Sequence, residues 1–243
     1  MRNHRGPGLV TVGLVAVLAA AGCERAGTEQ AGPSTTGPVA SAPVPSTATP
    51  SASAAPTVIP LGAFLALPED MRHGDIRVRV EVEQALPRLC GGEFASRGAT
   101  AASASVMSVH GMRRDPPGTV PSGVLYQTIR TYDGDGASAF MRRLRADLAS
   151  CESFKRDGSV FRVRTAALDR VGDEALTIDL VQPARDLPGN LVEGFQTNRA
   201  AVIRIGDTVT ILWDAEYERS NSEPAVVADF ARRAVAAIDA WRS

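Results

Sequence analysis

An α+β domain is expected from this sequence: an antiparallel β-sheet of about six strands with two main helices packed on one face, held by one disulfide. Period-two apolar runs recur through the second half of the chain, as in half-buried strands. Two stretches, one in mid-domain and one at the C-terminus, instead repeat their apolar residues at helical spacing. The resulting order of strands, helix, strands and helix lacks the repeated strand–helix alternation of a doubly wound parallel sheet.

The chain begins with a different kind of signal. Arg2 and Arg5 precede an apolar run from Gly8 to Gly22 that ends Leu18-Ala19-Ala20-Ala21-Gly22-Cys23. At about 15 residues the run is shorter than the roughly 20 a membrane-spanning helix needs, so it reads as the apolar core of a signal peptide covering 1–22. Small residues ending in cysteine resemble the lipobox of bacterial lipoproteins, although Ala20 stands where that motif prefers leucine. The resemblance implies a diacylglycerol on the Cys23 thiol, with Cys23 as mature N-terminus. An ordinary secretory signal is the alternative. Two or more acyl chains would give stable attachment to the membrane.

Residues 23–57 are mostly Ala, Ser, Thr, Pro and Gly, with nothing to bury. They read as a disordered tether reaching about 30 Å as a coil and at most about 100 Å when extended.

The domain at 58–243 opens with Ile59, Leu61, Phe64, Leu65 and Leu67, expected as a helical turn over the core. Ile76, Val78, Val80 and Val82 alternate with Arg77, Arg79, Glu81 and Glu83, which predicts a strand with its valines inward. Val106–His110 is a weaker strand signal, and Val124–Tyr132 a strand apolar enough on both sides to lie inside a sheet. Asp133-Gly134-Asp135-Gly136 reads as a turn with an acidic cap, opening a helix that runs to about Cys151 through Phe140, Leu144 and Leu148. Strands follow at Val160–Leu168 and Glu174–Val181, joined by Val171-Gly172-Asp173-Glu174. Pro183, Pro188, Gly189 and Gly194 predict a loop over 183–197. Gly206-Asp207 between Ala200–Ile205 and Thr208–Trp213 is a two-residue hairpin signal. Val227, Phe230, Ala234 and Ile238 mark the last helix, with Asn221 or Ser222 as the expected cap and Pro224 in its first turn.

Composition excludes several classes of function. Removing Arg2 and Arg5 leaves 24 basic residues against 27 acidic, too balanced for nucleic-acid binding. With Cys23 assigned to lipid, Cys90 and Cys151 form an even pair in an oxidising compartment. A disulfide between them closes a loop of about 60 residues and contributes roughly 4 kcal/mol in the chain-entropy model. A reactive thiol, or half of a metal site, is the other reading of the pair.

Leu89-Cys90-Gly91, Ala139-Phe140, Cys151 after the helix, the Val-Gly-Asp-Glu turn and the Val202–Asp207 segment before a final helix together resemble the PknH-like extracellular sensor domain family. The resemblance covers about residues 60–243. It implies an antiparallel sheet flanked by helices, with a cleft for an undefined extracellular ligand. Family members often carry a second disulfide and a tryptophan shortly before the helix-end cysteine. This chain has cysteines for one bridge, and Ala149-Ser150 precede Cys151. It has no kinase motif.

Other constellations point to structure. Asp133-Gly134-Asp135 starts like a calcium loop, but Ala137 and Leu144 occupy the fifth and twelfth positions, where oxygen ligands are needed. Asp173 and Glu174 are adjacent in sequence, so in a strand they would point to opposite faces. Trp213, Ala215 and Tyr217 would share one strand face and Asp214, Glu216 and Glu218 the other, which suggests an aromatic surface beside a carboxylate row. Such a surface could hold an amphipathic or cationic ligand; in the other reading, Trp213 and Tyr217 lie under a helix and the three acids face water. Tyr126, Trp213 and Tyr217 are the candidate ligand-binding residues. His73 and His110 are the histidines left after the signal, and no nucleophile elbow, zinc-protease motif or Walker loop is present. The expectation is a non-catalytic envelope lipoprotein, attached to the membrane through Cys23, with neither cofactor nor metal. It would bind an unknown small ligand or, alternatively, an envelope protein; a hydrolase with a non-local site is the weakest alternative.

Overall fold

The computed structural model describes residues 57–96, 100–113, 115–116, 118–218 and 220–243. The signal at 1–22, Cys23 and all of the tether but Thr57 lie outside the described residues.

Eight strands form one sheet: β1 (Arg72–Val80), β2 (Thr100–His110), β3 (Gly123–Tyr132), β4 (Ser153–Arg156), β5 (Ser159–Ala167), β6 (Glu174–Arg185), β7 (Leu191–Ile205) and β8 (Thr208–Ala215). The helices are α1 (Val82–Ala85), α2 (Gly136–Ala149) and α3 (Pro224–Arg242). Spatial order is β1-β2-β3-β8-β7-β6-β5-β4, with every neighbour antiparallel. Two meanders thus meet at the β3–β8 seam, and α2 carries the chain from the centre of the sheet to its far edge.

The expected sheet of about six strands is corrected to eight, and the expected two layers to three. One face of β6, β7 and β8 presents Leu176, Ile178, Ala200, Val202 and Ile211 to Phe140, Met141 and Leu144 of α2. The opposite face presents Ala175, Ala201, Ile203 and Leu212 to Val227, Phe230, Ala231 and Ala234 of α3. The helices lie on opposite faces, not on one. The cause is visible in Ala200-Ala201-Val202-Ile203: successive side chains point opposite ways, so four consecutive apolar residues demand cover on both sides. Fully burying a side chain such as Phe230 or Ile203 is worth about 1.5–3 kcal/mol.

Strand β4, absent from the expected strands, arises at Asp157-Gly158, where φ is 49° and 74°. Two successive positive φ angles make the type I′ turn that Asp-Gly favours, and it folds β4 back on β5. The predicted loop at 183–197 shrinks to Asp186–Asn190, since β6 runs to Arg185 and β7 starts at Leu191. Pro183 is tolerated beside a register shift in this ladder, where a missing N–H costs least.

Strand β1 reverses its predicted orientation. Ile76 and Val78 are 45% and 46% exposed, while Arg77 and Arg79 turn toward the segment at 59–64. Their guanidinium groups donate to the carbonyls of Ile59, Leu61 and Phe64, and that of Arg79 lies over the Phe64 ring at 5.0 Å. The segment forms a single helical turn, Leu61–Ala63, over the core as expected; the carbonyls it leaves free need partners, and arginine supplies them while its stem covers the apolar surface.

Helix α3 starts at Pro224 with Glu223 as cap residue and no side-chain cap bond. Asn221 and Ser222 instead accept from the backbone N–H groups of Thr197 and Arg199, tying the loop to β7. At α2 the cap residue is Asp135, whose side chain makes no capping bond and lies 3.5 Å from Arg142. Cys90 and Cys151 are disulfide-bonded, their Cα atoms 5.8 Å apart, which joins the end of α2 to the loop after α1. No described helix is long and apolar enough to cross a membrane.

Candidate functional site

Helix α2 covers only part of its sheet face. Beyond its reach the same face carries Tyr126 on β3, Trp213 and Ala215 on β8, Asn198 on β7 and Gln182 on β6, all lining a cleft of about 730 Å³. Walls are supplied by Leu86 and Arg88 after α1 and by Arg156, Asp157, Ser159 and Phe161 of the β4–β5 hairpin. Arg185 and Gly189, from the tip of the β6–β7 hairpin, also line it.

Strand register places the floor residues. Tyr126 lies opposite Trp213, and Trp213 opposite Ala200, so all three project to one face. Asn198 is two residues from Ala200 on β7 and joins that face. Gln182 lies opposite Gln196, and its side-chain amide donates to the Gln196 carbonyl at 3.3 Å. The Gln196 amide in turn donates to the Glu216 carboxylate and, at 3.1 Å, to the Ser220 carbonyl. Gln196 thus spends both amide hydrogens. Asn198 differs: it is 4% exposed and its Nδ2 has no hydrogen-bond partner. A buried amide without an acceptor is costly, and Asn198 is one of the residues that line the cleft.

Two of the three predicted aromatic residues, Tyr126 and Trp213, meet in this cleft, and Tyr217 does not. Strand β8 ends at Ala215, and the chain turns through Glu218 at φ 47°. The alternation that would have aligned Tyr217 with Trp213 stops there. The Tyr217 backbone N–H donates to Ser220 Oγ at 2.9 Å, and its side chain lines a separate hollow with Val120 and Glu218. The predicted carboxylate row is likewise divided. Asp214 is buried and its carboxylate accepts from His110 Nε2 at 2.8 Å, whereas Glu216 borders the cleft. His110 packs edge-on to Phe230 at 5.2 Å, and Ser222 Oγ donates to the Asp214 backbone carbonyl. The histidine, carboxylate and hydroxyl are thus near one another without forming a relay.

The sulfurs of Cys90 and Cys151 are bonded to each other, so neither serves as a nucleophile or metal ligand. Glu93 lies beside them, and both of its carboxylate oxygens accept from the Gly91 N–H, at 2.9 and 3.0 Å. Asp173 and Glu174 have structural partners: Asp173 accepts from the Gly206 N–H at 2.7 Å and from Arg204, and Glu174 pairs with Arg145 at 2.8 Å.

Sequence reasoning missed the amide set Gln182, Gln196 and Asn198, along with Arg156 and Arg185. Residues 185 and 196 lay in the stretch at 183–197 assigned to loop because of its prolines and glycines, and 182 falls just before it. The Asp157-Gly158 pair would have placed Arg156 and Phe161 on facing strands.

No family model and no curated protein matches this chain. Among solved structures, the extracellular domain of PknH from Mycobacterium tuberculosis matches at 13% identity and a TM-score of 0.39, over 57% of this chain and 64% of that one. The chain therefore spans less than two thirds of that domain's length, and the likeness is a distant one.

Proposed function

We propose that the chain is an envelope lipoprotein, attached to the outer side of the cell membrane through lipid on Cys23, whose domain at 58–243 binds a small ligand without chemical turnover. The observation that supports this most strongly is the cleft, in which Tyr126 and Trp213 lie beside the buried, unpartnered amide of Asn198. Ligand sites pair aromatic surface with a few fixed polar groups in this way. The lining here is more polar, and the mouth wider, than the closed apolar cavity that would suit a lipid.

Native mass spectrometry of protein extracted from its own membranes tests the reading. A stoichiometric small molecule on the wild type, absent from Tyr126→Ala, is expected. Bare protein in both would contradict it.

A surface feature favours partner binding as a second reading. Leu187, Leu191, Val192 and Phe195 are all exposed around the β6–β7 hairpin, with Phe195 at 62%. Apolar residues gathered in this way are typical of protein contact surfaces. Cross-linking from this hairpin to a second envelope protein, with an empty cleft, would move the assignment to that reading.

A further inference from the structure

We infer that the cleft takes a saccharide: an uncharged, hydroxyl-rich ring packed against Tyr126 and Trp213, with one hydroxyl accepting from Asn198 Nδ2. This rests on the ligand-binding reading above and gives it a chemical class.

The first ground is the Asn198 amide. Its Nδ2 is buried and unpartnered, while Gln196 beside it is engaged at both ends by Gln182, Glu216 and Ser220. An acceptor brought in by a ligand would complete the set, and a hydroxyl both accepts from one amide and donates to the next. The second ground is the aromatic pair. Tyr126 and Trp213 lie opposite each other across β3 and β8, with Trp213 only 9% exposed and packed in the core and Tyr126 half-buried, so Tyr126 offers the more open ring. Aromatic faces carry partial negative charge, which suits the weakly positive C–H face of a sugar ring.

The third ground is what the lining disfavours. Arg88, Arg156 and Arg185 border the cleft, with Asp157 and Glu216 nearly balancing them. Two of these guanidinium groups already have partners: Arg185 donates to the Gly189 carbonyl at 2.6 Å, and Arg156 lies over Phe161 at 4.5 Å. A polyanion would want uncommitted cations, and an acyl chain would want apolar walls. An extended peptide would want a free strand edge. The floor strands β3, β8, β7 and β6 are each paired on both sides.

Full-length protein, purified in a detergent without a sugar head group, would be applied to a broad array of bacterial and synthetic glycans. Binding to the best glycan would then be measured by calorimetry for wild type, Asn198→Ala and Tyr126→Ala. Asn198→Ala removes the donor without burying a charge at a position only 4% exposed; at least a tenfold loss of affinity with cooperative unfolding retained is expected. If that variant does not fold, Tyr126→Ala, at a half-buried position, carries the same expectation. Absence of glycan binding, or equal affinity in the variants, would overturn the saccharide assignment. A stoichiometric non-sugar molecule bound to the native protein would sink the saccharide class and leave the ligand-binding reading standing. No glycan and no small molecule of any kind would sink both.

Discussion

Gly123 shows how tightly the interior specifies single residues. A Cβ there would lie 2.5 Å from His110 Nε2 and 2.7 Å from Asp214 Oδ1, both buried. Gly123→Ala is therefore expected to cost about 1–3 kcal/mol, from the overpacking and the disturbed pair, as read by urea unfolding. Asn198 presents the reverse case. Removing an unpartnered buried donor relieves a desolvation cost, so Asn198→Ala should change stability by less than about 1 kcal/mol while weakening ligand binding at least tenfold. Asp229 supplies a pH signature. Burial alone would push its carboxyl up, but the hydrogen bond from Arg233 and the charges of Arg233, Arg113 and Arg232 hold it below the ordinary carboxylate range. A carboxylate lowered on folding contributes stability that is complete above about pH 4 and lost as pH falls through its lower folded value. Asp229→Asn should therefore flatten the acid limb of the stability curve, by under about 1 kcal/mol for so solvated a group. The Tyr126–Trp213 pairing was accessible in outline, since both residues lie in clear period-two runs. Tyr217 was not, because no local signal announces that β8 stops at Ala215.

Among the elements, the disulfide carries the firmest energetic expectation. It joins the end of α2 to the loop after α1, across a sequence separation of 61. Replacing both Cys90 and Cys151 by serine should cost about 2–5 kcal/mol, and reduction of the wild type should lower its urea midpoint equally. The pairing was readable from cysteine parity once Cys23 was set aside. The Gly206-Asp207 hairpin was readable as well, and Gly206 adopts a φ of 58°. Strand β1 was misjudged because its Val/Arg alternation suits either orientation. Only the carbonyls of Ile59, Leu61 and Phe64 decide that the arginines turn toward that segment, which carries no periodicity.

For the molecule as a whole, the chief correction is that helices cover both faces of the sheet. The runs Ala200–Ile205 and Thr208–Trp213 contained that information, since a strand apolar on both sides needs two covers. The cleft was not legible, because it exists only where α2 ends short and three separate segments wall the exposed remainder. The proposed attachment through Cys23 yields its own prediction: Cys23→Ser should shift the protein from the membrane fraction to the soluble one and remove incorporation of labelled fatty acid. The claim on which the rest depends is that the cleft is an occupied binding site. A crystal structure of protein taken directly from its native membranes tests it most directly. Non-protein density against Tyr126 and Trp213, with an acceptor at Asn198 Nδ2, is the predicted result. A cleft holding only solvent, with the Asn198 amide bonded to another part of the protein, would contradict it.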